Sequence, residues 1–138
     1  MLENLCLLTS RLLLAWIFVH EGAFLILNFD TAAAGMTKLG MSQDLLAATI
    51  ALQIIAGLAI AVGWYARVGA AALGLFCLAT AVLFHHNFAL RNELLHFEKD
   101  IAIAGGMLML MLRGEGEWSV VGLLSAQGRP SPAAGQVQ

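Results

Sequence analysis

Only 12% of the 138 residues are charged, and the formal net charge is −2. Without a basic excess, the chain offers no nucleic-acid-binding surface. It has two cysteines, Cys6 and Cys77, and no CxxC. Cys6 is expected at the edge of the first membrane span and Cys77 near the middle of the third, too far apart for disulfide geometry, so thiol redox chemistry is not expected. Neither HxxxH nor HxxE occurs, and His96 with Asp100 is the sole ligand-type pair at i, i+4. No metal site is expected from such spacing. The opening segment MLENLCLLTSRLLLAWIF has no small-residue cleavage site and carries Glu3 and Arg11, so it reads as a retained helix and not as a signal peptide.

Hydrophobic residues make up 60% of the chain and mean hydropathy is +0.83. Both values belong to an integral membrane protein. The fold expected is an all-α, antiparallel four-transmembrane-helix bundle, with spans near 7–27, 44–63, 66–86 and 94–113. Residues 1–118 form the membrane domain and 119–138 a short tail, whose end reads as disordered from its Gly, Pro, Ser and Ala content. Between the first two spans, Asp30 is a candidate cap for a short surface helix ending at Gly40, with Ala33, Met36 and Leu39 on one side. Asn92 is a candidate cap for the last helix. In the third span, Arg67, Ala71, Gly74, Leu78, Ala81 and His85 make one stripe at helical spacing, with His86 turned about 100° away. Four spans put Arg11, Arg67, Arg113 and Arg129 on one side and Lys38, Arg91 and Lys99 on the other, which favours cytoplasmic termini.

The last span falls short of apolar length. Its uninterrupted apolar or glycine run is Ile101 to Leu112, about 18 Å of helix against a hydrocarbon core of about 30 Å. The crossing must recruit His96, Phe97, Glu98, Lys99 and Asp100, and ionisable groups at that depth need partners. In the first span, Arg11 is expected to snorkel to the near interface, whereas His20 and Glu21 lie at nearly the depth of Glu98 to Asp100. The expectation is a Glu21–Lys99 salt bridge, with His20 meeting Asp100 or Glu98. All four histidines fall toward one face, and His85 is the better inward candidate of its pair. The candidate site is therefore His20, Glu21, His85, His96, Glu98, Lys99 and Asp100. The bland alternative is a structural polar layer, with the outer histidines simply solvated. A bis-histidine haem fits poorly, because His20 and His85 differ by about 9 Å in depth. A quinone fits better: an apolar slot for its tail, donors near its carbonyls, and Gly105 and Gly106 leaving room for a flat ring.

The chain resembles the DoxX family of small four-helix membrane proteins, grouped with DoxD and MauE as redox-associated. The resemblance covers about Arg11 to Trp118. It is carried by Arg11, by EGAFLILNFDTAAAGMTKLGM from Glu21, by QIIAGLAIAVGWYAR from Gln53, by FHHNF from Phe84, and most specifically by HFEKDIAIAGGMLML from His96. Leu25 stands where the family has a lysine, and His20-Glu21 precedes Gly22. The resemblance implies a bacterial-type inner-membrane subunit working beside an oxidoreductase in quinone-linked, sulfur or oxidative-stress complexes. The chain has no catalytic motif of its own. The alternative is a non-catalytic anchor that docks a partner protein. Solute translocation ranks last, since the cytoplasmic half offers little polar path. Whether the chain forms a homo-oligomer is open.

Overall fold

A computed structural model describes residues 1–85 and 87–127. The expectations for His86 and for the tail beyond Gln127 lie outside the described residues. Among these residues all regular structure is helical: α1 (Leu2–Leu27), α2 (Phe29–Lys38), α3 (Gln43–Val62), α4 (Ala66–Phe84), α5 (Arg91–Arg113) and α6 (Val120–Gln127). Helices α1, α3 and α4 are long and apolar enough to cross a membrane. Helix α5 has 23 residues, about 35 Å of length. Its first ten residues include Arg91, Glu93, Glu98, Lys99 and Asp100, which lower its hydropathy below that of the other three.

The four long helices pack side by side. α1 lies against α3, α3 against α4 and α4 against α5, while α1 and α5 touch far less than these neighbours do. Their shared core joins Ala15 and Phe18 of α1, Ala56 and Ile60 of α3, Ala70, Leu73 and Cys77 of α4, and Ala104, Met107 and Leu110 of α5. Lipid gives apolar side chains no reason to leave it, so helix contact in a membrane rests on close packing between small residues. At Gly69 of α4 a Cβ would come 3.1 Å from the Ala56 carbonyl oxygen. The buried stripe of α4 runs Ala66, Ala70, Leu73, Gly74, Cys77 and Ala81. It is turned from the expected stripe, since Arg67 and Leu78 face outward; packing against both α3 and α5 widens the inward face and recentres it.

The α3–α4 turn is tight because Gly63 takes φ +71° as the αL C-cap of α3. Its N–H reaches Ile60 and the Trp64 N–H reaches Ala59, closing the helix end in the glycine-terminated manner. The short surface helix is present as α2 and ends at Gly40, φ +73°, with Met41 N–H returning to Met36 O at 2.9 Å. Two expected caps are corrected. Asn28 holds the N-cap position of α2, with Asp30 inside the first turn, and Leu90 precedes α5, so neither Asp30 nor Asn92 caps. Each helix begins one residue before the polar side chain expected to cap it. Ala33 of α2 is buried with Leu46 and Ile50 of α3, which pins α2 across that end of the bundle.

At the opposite end, Arg11 departs from the snorkelling expected of it: it is 1% exposed. Its two terminal nitrogens donate to the carbonyls of Glu115 (2.7 Å) and Trp118 (2.5 Å). The segment after α5 folds back over α1, so the guanidinium finds its acceptors inside the protein. Ser119 then caps α6, accepting from the Gly122 N–H at 3.0 Å.

Candidate functional site

A cavity of about 820 Å³ lies between α1, α3, α4 and α5 at the end capped by α2. α1 and α5 touch little, each being packed against a different neighbour, α3 and α4 respectively. Apolar side chains form most of its wall, among them Phe18 of α1, Leu52 of α3, Phe76 of α4 and Ile103 of α5, with Met36 and Leu39 of α2 across its end. Into this surface project Glu21, Gln53, Thr80, His85, His96, Lys99 and Asp100.

Asp100 is the most enclosed of the candidate acids at 8% exposure. Its Oδ2 lies 2.9 Å from Thr80 Oγ1, which is also 3.1 Å from the Phe76 carbonyl and 3.0 Å from that of Cys77. One hydroxyl proton cannot serve all three acceptors. With an ionised Asp100, Thr80 donates to the carboxylate; with a protonated one, Thr80 turns its proton to the backbone and accepts. The hydroxyl can thus bond to the carboxyl group in either state. Above it, Lys99 Nζ is 3.3 Å from His96 Nδ1, the His96 and His85 rings stack with centroids 5.0 Å apart, and His85 Nδ1 is 2.9 Å from Glu93 Oε2. These contacts form a continuous polar edge from the cavity to the start of α5.

The structure brings together Glu21, His85, His96, Lys99 and Asp100 around one space. It does not bring in His20 or Glu98. Successive helical side chains point about 100° apart: Glu21 faces the cavity while His20 before it does not, and on α5 Lys99 and Asp100 face it while Glu98 does not. His20 stacks on Trp16 (centroids 5.8 Å), one turn earlier on α1, and meets neither Asp100 nor Glu98. The expected Glu21–Lys99 salt bridge is not formed: the ion pairs among the described residues are Arg67–Glu115, His85–Glu93 and Arg113–Glu3. The two side chains share the cavity, on helices that touch little, and Lys99 turns to His96. Nor do Gly105 and Gly106 border the cavity. Gly106 is packed against Leu14, a Cβ there coming within 3.2 Å of its side chain, and Gly105 faces open space.

Three polar residues of the site carried a sequence signal that is easy to pass over. Gln53 and Thr80 are lone polar side chains inside long apolar runs, and Glu93 lies eight residues beyond His85. Gln53 is 4% exposed and its Oε1 has no hydrogen-bond partner. Among the described residues, no three His, Cys, Asp or Glu side chains gather closely enough to hold a metal ion. Cys6 and Cys77 are both free thiols.

With this geometry in place, comparison with known proteins is informative. The family model described as DoxX matches residues 6–86. The inner membrane protein YqjF of Escherichia coli (strain K12) is 35% identical over 124 residues, covering 90% of this chain and 95% of YqjF. The inner membrane protein YphA of the same organism is 31% identical over 121 residues, covering 83% of this chain and 86% of YphA. No solved structure matches the chain.

Proposed function

The chain belongs to the DoxX family, and from that premise we propose that it is the membrane subunit of a quinone-linked oxidoreductase, holding the quinone ring in the α2-capped cavity. Its relatives bear the name inner membrane protein, and three of its helices have the length and hydropathy to cross; the chain is a multi-pass protein of that membrane. Helix α5 is its fourth crossing, its charged half turned toward α4 and the cavity. Both termini face the cytoplasm, residues 1–118 form the membrane domain, and the remainder is a tail.

The observation that carries this reading is the cavity itself: a largely apolar space of about 820 Å³ bordered by Glu21, Gln53, Thr80, His85, His96, Lys99 and Asp100. Such sites bury most of a ligand against apolar walls and orient it with a few polar groups. The orphaned Gln53 Oε1 is a polar atom that a ligand oxygen can satisfy when that oxygen carries a proton. A bound quinone supplies two-electron, two-proton chemistry. The chain's own groups bind and orient the ring, and Asp100 with Thr80 exchanges protons at its outer edge. Lys99, His96, His85 and Glu93 link that edge to the aqueous face.

In membranes, Glu21→Ala or Lys99→Ala is expected to abolish quinone-dependent electron transfer while the protein remains folded by its melting profile in detergent. Unchanged turnover in both variants contradicts the proposal.

A further inference from the structure

The cavity has polar groups at two depths. Counted along the helices from the α3–α4 turn, Gln53 lies nine residues before Val62 and Thr80 fourteen after Ala66. Thr80 and its partner Asp100 therefore stand roughly 7 Å nearer the α2-capped end than Gln53. Between them the wall is apolar, formed by Phe18, Leu52, Phe76 and Ile103. Gln53 is 4% exposed, lines the cavity and leaves Oε1 unpaired. A buried, unpaired amide oxygen costs stability that neither lipid nor the surrounding side chains recover, which marks it as a group awaiting a partner.

We infer that Gln53 binds the inward oxygen of the ligand, so that the site selects rings oxygenated on opposite edges over rings with a single polar end. A six-membered ring carrying an oxygen at each edge, with a hydrogen bond of about 3 Å at each, reaches about 11 Å between its partners, enough to cross that difference in depth when the ring lies oblique to the helices. The carboxamide contains both an acceptor and two donors. Rotated about its last bond, it receives a proton from a hydroxyl or gives one to a carbonyl, and so serves the reduced and the oxidised ring alike. A single-ended amphiphile satisfies one depth and leaves the other unpaired. This inference rests on the quinone-type reading above and adds the residue that sets its selectivity.

The test is a binding titration of the full chain in lipid nanodiscs with two probes of equal tail length, a decyl-substituted 1,4-hydroquinone kept reduced, whose two hydroxyls can each donate, and a decyl-substituted phenol. The wild type is expected to bind the two-oxygen ring about tenfold more tightly. Gln53→Leu is expected to erase that preference and leave phenol affinity within about twofold, whereas Asp100→Ala weakens both probes. If Gln53→Leu does not fold, Gln53→Met and the wild-type ratio decide the matter. Equal wild-type affinities, or a preference that survives in the Gln53 variants, overturns the inference while leaving the quinone reading intact. Failure of both probes to bind the wild type overturns the quinone reading and the inference together.

Discussion

Arg11 is an arginine almost wholly removed from solvent whose Nε has no acceptor, while its other two nitrogens hold the Glu115 and Trp118 carbonyls. Charge-assisted hydrogen bonds in a buried setting are among the stronger single contacts available to a protein. Arg11→Ala is expected to cost about 2–4 kcal/mol in detergent unfolding and to open the segment from Gly114 to Ser119 to proteases. Lysine keeps the charge but cannot span two carbonyls with a planar fork, so Arg11→Lys recovers only part of the loss; full recovery would show that charge alone matters. Gly63 belongs to the same knot. It sits at φ +71°, and a side chain there collides with Arg11 and Ser119, so Gly63→Ala is expected to destabilise the protein by more than the about 1 kcal/mol that the backbone conformation alone costs. A change smaller than that in thermal or denaturant unfolding would show that the turn relaxes. At the cavity, Thr80→Val removes the hydroxyl that faces Asp100 and is expected to weaken ring binding and, by leaving that buried carboxyl without its partner, to lower the melting temperature as well.

At the scale of elements, α2 connects loop sequence to cavity function. Its Ala33 is anchored on Leu46 and Ile50, and its Met36 and Leu39 close the cavity. Ala33→Glu places a charge in that contact and is expected to release α2, so that bound ring exchanges several-fold faster in stopped-flow displacement while α1, α3 and α4 stay folded. Unaltered exchange would mean that the ligand enters between the long helices. The helices themselves were legible in the sequence: apolar runs and the Gly63 turn announce α3 and α4 to within a few residues, and α2 announces itself by its spacing and Gly40. Caps were less legible. Asp30 and Asn92 have the chemistry of N-caps, yet each stands at the second position inside its helix. α6 was missed because Val120–Gln127 is short and apolar without a helical polar face, and the burial of Arg11 depends on a segment over one hundred residues away.

At the scale of the whole molecule, Glu21, Lys99 and Asp100 line one cavity, as their depths along the helices lead one to expect, but Glu21 and Lys99 are not in contact. Sequence distance from a membrane boundary gives height along the normal; it says nothing of how far two helices diverge at that height. Glu21 and Lys99 therefore flank a cavity in place of forming a pair, and His20 is turned away by one residue's rotation. The apolar deficit of the last helix was legible because it is a matter of length and composition. Topology follows from the same picture. In intact cells a membrane-impermeant maleimide is expected to label Phe88→Cys readily, and to reach the native Cys6 only after the membrane is opened. The reverse pattern would invert the bundle.

The central claim is that the cavity holds a ring-shaped, lipid-soluble ligand, and native mass spectrometry of gently solubilised protein tests it most directly. The wild type is expected to carry one quinone-mass adduct per chain. Thr49→Phe, which fills the cavity from α3 without removing any of the charged groups, is expected to carry none. An adduct that persists in Thr49→Phe, or wild-type protein that carries none when purified from quinone-containing membranes, would contradict the account.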